Sequence, residues 1–224
     1  MQNEKKITDQ ELDYNNEYFK TRYAFNKGRE KVWKAITEYL ARYIPESASV
    51  LDLGAGYCDF INHVSCKTKT AIDINETSKN YARPNVKFIT RSVLDVNESE
   101  LDGKLNVVFA SNFLEHFSVP EVIEILKKIH TLLDVKGRVI LLQPNYYYAY
   151  RNYWDDFTHK TAFTHTSLAD LISETGFRVI DVQKKFLPFS FKSRLPTSYF
   201  LTKLYLNSPY RPMAKQMLLV AEKK

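Results

Sequence analysis

Residues 50–60, VLDLGAGYCDF, constrain this chain more than any other stretch. Val50, Leu51 and Leu53 form a short apolar run of the kind that a parallel strand buries on both faces. Gly54 and Gly56 follow it, allowing a tight turn whose backbone approaches a ligand with no Cβ in the way. Asp52 sits inside the apolar run, where a carboxylate is costly to bury unless paired or hydrogen-bonded, so it is expected to serve a ligand or brace the turn. About twenty residues on, TAIDIN is a second short strand carrying Asp73, at the place where nucleotide-binding α/β folds set a carboxylate against ribose hydroxyls. The turn is not GxGxxG, because Cys58 and Asp59 follow Gly56, and no GxxxxGK[ST] occurs. A nucleoside without a phosphate chain therefore fits better than a dinucleotide or triphosphate.

On these residues the chain resembles the class I S-adenosylmethionine-dependent methyltransferases, over about residues 30–185 and again at a family-like final strand. The family pattern acid-x-Gly-x-Gly-x-Gly is met by Asp52, Gly54 and Gly56, with Cys58 in place of the third glycine. The resemblance implies S-adenosylmethionine as cofactor, with Asp73 on its ribose, Asp95 of SVLDV beside its adenine and Leu94 packed near that ring. VVFASNFLEHF is similar to the family's NxLEH stretch, which would set Asn112, Glu115 and His116 beside the methionine moiety and the acceptor. The implied fold is α/β: a Rossmann-like sheet of seven strands, mostly parallel, with an antiparallel last strand in MAKQMLLVAEKK and helices on both faces.

Periodicity places strands at about 49–54, 69–74, 86–91, 105–111, 137–143, 177–185 and 216–222, with helical segments between most of them. Alternation of this kind implies a parallel sheet, and right-handed crossovers put a ligand outside the carboxyl ends of its strands. Gly54, Asp73, Asp95 and Asn112 all fall on that rim. Val32, Ile36, Tyr39, Leu40 and Tyr43 recur at helical spacing, predicting an amphipathic helix from Gly28 to about residue 44, which Pro45 stops. The expected division is a capping segment and helix at 1–44, a cofactor-binding core at 45–185, an insertion or lid at 186–212 and a final core strand at 213–224. Residues 1–27 carry Tyr14, Tyr18, Phe19, Tyr23 and Phe25, too many aromatics for a solvated tail, and are expected to cap something.

At 224 residues the chain suits one domain with additions. It has no run of eighteen apolar residues and its N-terminus is polar, which predicts a cytoplasmic protein. Cys58 and Cys66 show no zinc spacing and are read as reduced and structural. Lys and Arg total 32 against 26 Asp and Glu, a net charge of +6 that favours anionic acceptors or surfaces without singling out nucleic acid.

Residues 143–166, QPNYYYAYRNYWDDFTHKTAFTHT, follow the fifth predicted strand onto the same rim and form the candidate substrate loop. His159 is the first choice of general base there, with Asp155 or Asp156 to orient its ring, and His116 is the competing base. Asp155, Asp156 and His159 also offer ligands for a divalent ion, but adjacent carboxylates more often form caps and surface pairs, and no metal is expected. Tyr146 to Tyr150 would either stack on a sugar or base or wall the loop. The segment YWDDFTHKTAFTHTSLADLISETGF resembles bacterial methyltransferases associated with surface-polysaccharide and lipid-linked glycan biosynthesis, which implies O-methylation of a sugar, glycan or other small-molecule acceptor. The insertion mixes Phe, Leu and Tyr with Lys185, Lys192, Arg194, Lys203 and Arg211, suiting an anionic or amphipathic acceptor, a peripheral membrane contact, or a plain lid or dimer contact. RNA methylation is the alternative, encouraged by a pI near 9.1. It is opposed by the absence of a [DN]PPY motif after the fourth strand, so no nucleic-acid partner is expected. A catalytically silent cofactor binder is the third reading.

Overall fold

The computed structural model describes residues 28–188 and 197–224. Seven strands form one sheet: β1 Ser49–Leu53, β2 Thr68–Asp73, β3 Lys87–Thr90, β4 Leu105–Ser111, β5 Leu133–Pro144, β6 Phe177–Pro188 and β7 Ala214–Lys223. Their order is β3-β2-β1-β4-β5-β7-β6. β1 to β5 run parallel, while β7 lies antiparallel between β5 and β6. From β1 the chain winds outward to β3, then returns to place β4 on the other side of β1. The carboxyl ends of β1 and β4 therefore flank the point where the winding reverses, the position at which sheets of this type open a crevice for ligands.

Side chains alternate across the strands, so each face has its own core. Leu51, Leu53, Val108, Ala110, Val139 and Leu141 face helices α3 (Val119–Leu132) and α5 (His165–Glu174). Val50, Val107, Phe109, Ile140, Leu142 and Val220 face α1 (Gly28–Leu40), α2 (Asp59–His63) and α6 (Tyr199–Asn207). The remaining described α-helix, α4 (Tyr146–Ala149), is a single turn after β5. α3 begins at a capping box in which the Ser118 backbone N–H donates to Glu121 at 2.7 Å, with a proline in the first turn. The expected stop at Pro45 is reached through one tight turn, Ala41–Tyr43.

Two strand boundaries and the content of the insertion differ from the sequence reading. β5 starts at Leu133 rather than 137, because Lys136 takes a left-handed φ of 60° and the strand continues through it, shifting register against β4. β6 runs on to Pro188. The insertion carries α6, which packs on α1: Leu206 is fully buried, the Tyr199 hydroxyl and the Lys203 ammonium both donate to Glu38, and Arg211 donates to Gln183 at 2.8 Å. The capping segment 1–27, and Lys192 and Arg194 of the insertion, lie outside the described residues. No described helix is long and apolar enough to cross a membrane.

Candidate active site

The turn after β1 is held by two backbone bonds, from the N–H groups of Gly54 and Ala55 to the Ile72 carbonyl at 2.9 and 3.2 Å. Gly54 and Gly56 have φ of +63° and +51°, and a Cβ on Gly54 would sit 2.5 Å from the Phe113 ring. Both positions thus favour glycine by conformation, and Gly54 also requires it for space. Cys58, at the third position of the glycine pattern, also adopts the left-handed conformation, φ 55° and ψ 25°. Its thiol is buried, and desolvation pushes its pKa far up, aided by the nearby Asp52 and Asp73 carboxylates.

Asp73 ends β2 and binds the turn across the sheet: its carboxylate accepts from the N–H of Gly56 and of Asn75, each at 2.8 Å. Burial raises its pKa and those backbone bonds oppose the rise. Asp52 is buried on the α2 side with a backbone hydrogen bond from Ile61. Desolvation, and secondarily the charge of Asp73, holds its pKa well above the ordinary carboxylate value. Asn75 is buried next to Asp73 with its Nδ2 unpartnered, a donor the sequence reading did not single out. After β3, Leu94 and Asp95 lie exposed in the turn Val93–Asp95, where the Ser92 hydroxyl caps the Leu94 N–H at 3.3 Å. After β4, Asn112 sits at φ +47° with its Oδ1 accepting from Gln216 Nε2 at 2.7 Å, so β7 holds it in place.

A second constellation forms where the turn Leu114–His116 meets the loop after α4. The Glu115 carbonyl accepts from the N–H groups of Lys160 and Thr161 at 2.8 and 3.2 Å, and the Thr161 hydroxyl donates to the Phe117 carbonyl at 2.7 Å. This stitching sets the rings of His116 and His159 with centroids 5.2 Å apart. His116 Nδ1 is 2.9 Å from Thr158 Oγ1, whose hydroxyl donates to Asp156 at 2.7 Å. Burial, and then the neighbouring His159, depress the His116 pKa to about 4. Burial pushes Glu115 up to about 8, opposed by its own backbone N–H, and neither carboxylate oxygen has a hydrogen-bond partner on another residue among the described residues.

This geometry gives His159 a main-chain partner that the sequence reading did not foresee. Its Nδ1 lies 2.7 Å from the backbone carbonyl of Tyr153, so the main chain orients the ring. Asp155 is exposed and accepts from Asn152 Nδ2 at 3.1 Å, and Asp156 reaches His116 through Thr158. The tyrosine run divides: Tyr146 packs edge-on against Tyr153 at 5.2 Å and walls the loop, while Tyr147 and Tyr150 are exposed. No local motif marks Thr158 or the Tyr153 carbonyl, because both act through a loop conformation that residue types alone do not reveal.

Residues 25–182 match the family model Methyltransf_23, a methyltransferase domain, and the chain belongs to that family. S-adenosylmethionine is its cofactor. The turn, with two Cβ-free residues beside a buried carboxylate and an orphaned amide donor, has the chemistry that a hydroxyl-bearing nucleoside needs. Three solved structures are alike in fold. A SAM-dependent methyltransferase from Archaeoglobus fulgidus shares 21% identity over 94% of this chain and 99% of that one, with a TM-score of 0.63. Magnesium protoporphyrin IX methyltransferase from Synechocystis PCC 6803, with bound SAM, shares 13% over 98% and 99%, at 0.61. An S-adenosylmethionine-dependent methyltransferase from Mesorhizobium loti shares 12% over 84% and 98%, at 0.61. No curated protein matches the chain.

Proposed function

We propose that the protein transfers a methyl group from S-adenosylmethionine to a hydroxyl oxygen of a sugar, glycan or other small-molecule acceptor. The observation that carries this reading is the His116–His159 pair on the rim that also bears the glycine turn. When bound, the cofactor supplies an electrophilic methyl on sulfur, so the chain has to align the acceptor in line and take its proton. Asp52, Gly54, Gly56 and Asp73 hold the methionine and ribose side, Leu94 and Asp95 flank the adenine, and Asn112 lies toward the methionine moiety. His159 would be the base: with Nδ1 turned to the Tyr153 carbonyl, its other ring nitrogen would take the proton of the acceptor hydroxyl. His116 is the weaker choice, since its depressed pKa makes it a poor proton acceptor. The exposed Phe200, Leu201 and Leu204 of α6 support a peripheral membrane contact through the insertion, as an amphipathic acceptor would require.

The test is a screen with methyl-labelled cofactor across sugar nucleotides, oligosaccharides and transfer RNA. Turnover on a carbohydrate is expected, and His159→Ala should lower it by more than about a hundredfold while cofactor binding by calorimetry stays intact. Methylation of RNA alone, or near wild-type turnover in the variant, would reject the reading.

A further inference from the structure

Glu115 is 2% exposed, and neither of its oxygens has a hydrogen-bond partner on another residue among the described residues. A carboxylate withdrawn from water in this way is costly unless it is paired or coordinates a metal. The groups facing it are imidazoles: one donor atom from each of Glu115, His116 and His159 lies within 4.8 Å of the others. Nδ1 of His159 is engaged by the Tyr153 carbonyl at 2.7 Å and Nδ1 of His116 by the Thr158 hydroxyl at 2.9 Å. A carbonyl, or a hydroxyl relayed to a carboxylate, on the far nitrogen is the outer support that metal-bound histidines use.

We propose that Glu115, His116 and His159 form a binding site for a divalent first-row transition-metal ion. Two imidazoles and one carboxylate suit zinc, iron, cobalt or manganese better than calcium or magnesium, and three protein ligands leave positions for water or an acceptor oxygen. Bonds of about 2.1 Å to one ion hold donor atoms about 3 to 3.5 Å apart, so side-chain movements of about an ångström complete the set. The site's use in methyl transfer rests on the function proposed above, whereas ion binding does not. With the ion bound, His159 would be a ligand and no longer the base, and the ion would supply the acidification of the acceptor hydroxyl instead.

The probe is cobalt chloride, titrated into the chelator-stripped chain without cofactor or acceptor, and read by visible absorption and calorimetry. Cofactor binding is measured separately on the same samples. One Co²⁺ per chain is expected, displaced by Zn²⁺. Glu115→Gln and His159→Asn should each weaken it by at least about tenfold, and Thr158→Val by a comparable factor through loss of the outer support. His130→Asn, whose ring packs on Phe177, should leave it unchanged. Absence of Co²⁺ binding while the cofactor still binds would overturn the site, as would Co²⁺ binding that survives both ligand substitutions. If Glu115→Gln loses cofactor affinity and the parent binds no Co²⁺, the carboxylate serves the cofactor instead. Stoichiometric Co²⁺ in a chain that methylates no hydroxyl would leave the metal site standing and reject the methyl-transfer reading.

Discussion

Cys58 keeps a glycine-like backbone without being glycine. A non-glycine residue in the left-handed region costs roughly 1 kcal/mol, and here the buried side chain offsets that cost by filling space between α2 and β2. Cys58→Gly should therefore stay within about 1 kcal/mol of the parent, whereas Cys58→Val, β-branched, should lose more than about 2 kcal/mol. Urea titrations of the two variants check the order, and equal losses would contradict the strain account. Asp52 gives a pH signature. Its folded-state pKa is raised by burial, so below about pH 4 the carboxyl is neutral in both states and costs nothing. As pH rises above that value the unfolded chain ionises first, and stability falls until the folded group also ionises. Relative to Asp52→Asn, the parent should lose up to about 1.4 kcal/mol per pH unit from pH 4 upward, measured by denaturant melts at several pH values. A constant difference would show that Asp52 ionises normally in the fold. Asp52, Gly54, Gly56 and Asp73 were legible because each residue type is unusual in its place. Asn75, Gln216 and Thr158 were not, since nothing marks a buried amide or hydroxyl as partnered until the strands and loops holding it are assembled.

At the scale of elements, strands carried strong signals because apolar runs alternate with polar turns, and all seven expected strands are present. Their ends were less legible: the left-handed Lys136 lets β5 continue through a segment whose polar residues read as a turn. α6 could not be read as a docked helix, because apart from Leu206 its hold on α1 runs through Tyr199, Lys203 and Glu38, polar contacts that leave no mark in the sequence. Its outer face leaves Phe200 78% and Leu204 70% exposed. Burying two such side chains contributes about 1.5 to 3 kcal/mol each, so Phe200→Ser combined with Leu204→Ser should reduce sedimentation with anionic liposomes by at least about tenfold. Leu206, which anchors the helix, is left in place. Absence of sedimentation by the parent would remove the membrane contact from the proposed function.

In the molecule as a whole, the winding reversal between β1 and β4 gathers groups distant in sequence onto one edge, and the alternation of strands and helices was enough to foresee it. The meeting of Glu115 and His116 with His159 was not foreseeable, because it depends on one loop folding back on one turn. Stability should be uneven across the sheet. β1, β4 and β5 are paired on both sides and covered on both faces, whereas β6 is an edge with alternately exposed residues. Native-state hydrogen exchange should therefore find the amides of β4 and β5 slowest and those of β6 at least about tenfold faster. Uniform protection would refute that gradient.

The slot occupied by β7 also sets an order of events during synthesis. Among the described residues β6 has no strand partner except β7, and β7 follows it by some 25 residues. A nascent chain that has just completed Pro188 leaves uncovered the edges of β5 and β6 that β7 later pairs, with Asn112 still lacking its Gln216 brace. Until residues 214–223 leave the ribosome, this half-built sheet is the form of the protein most exposed to aberrant pairing and to chaperone capture.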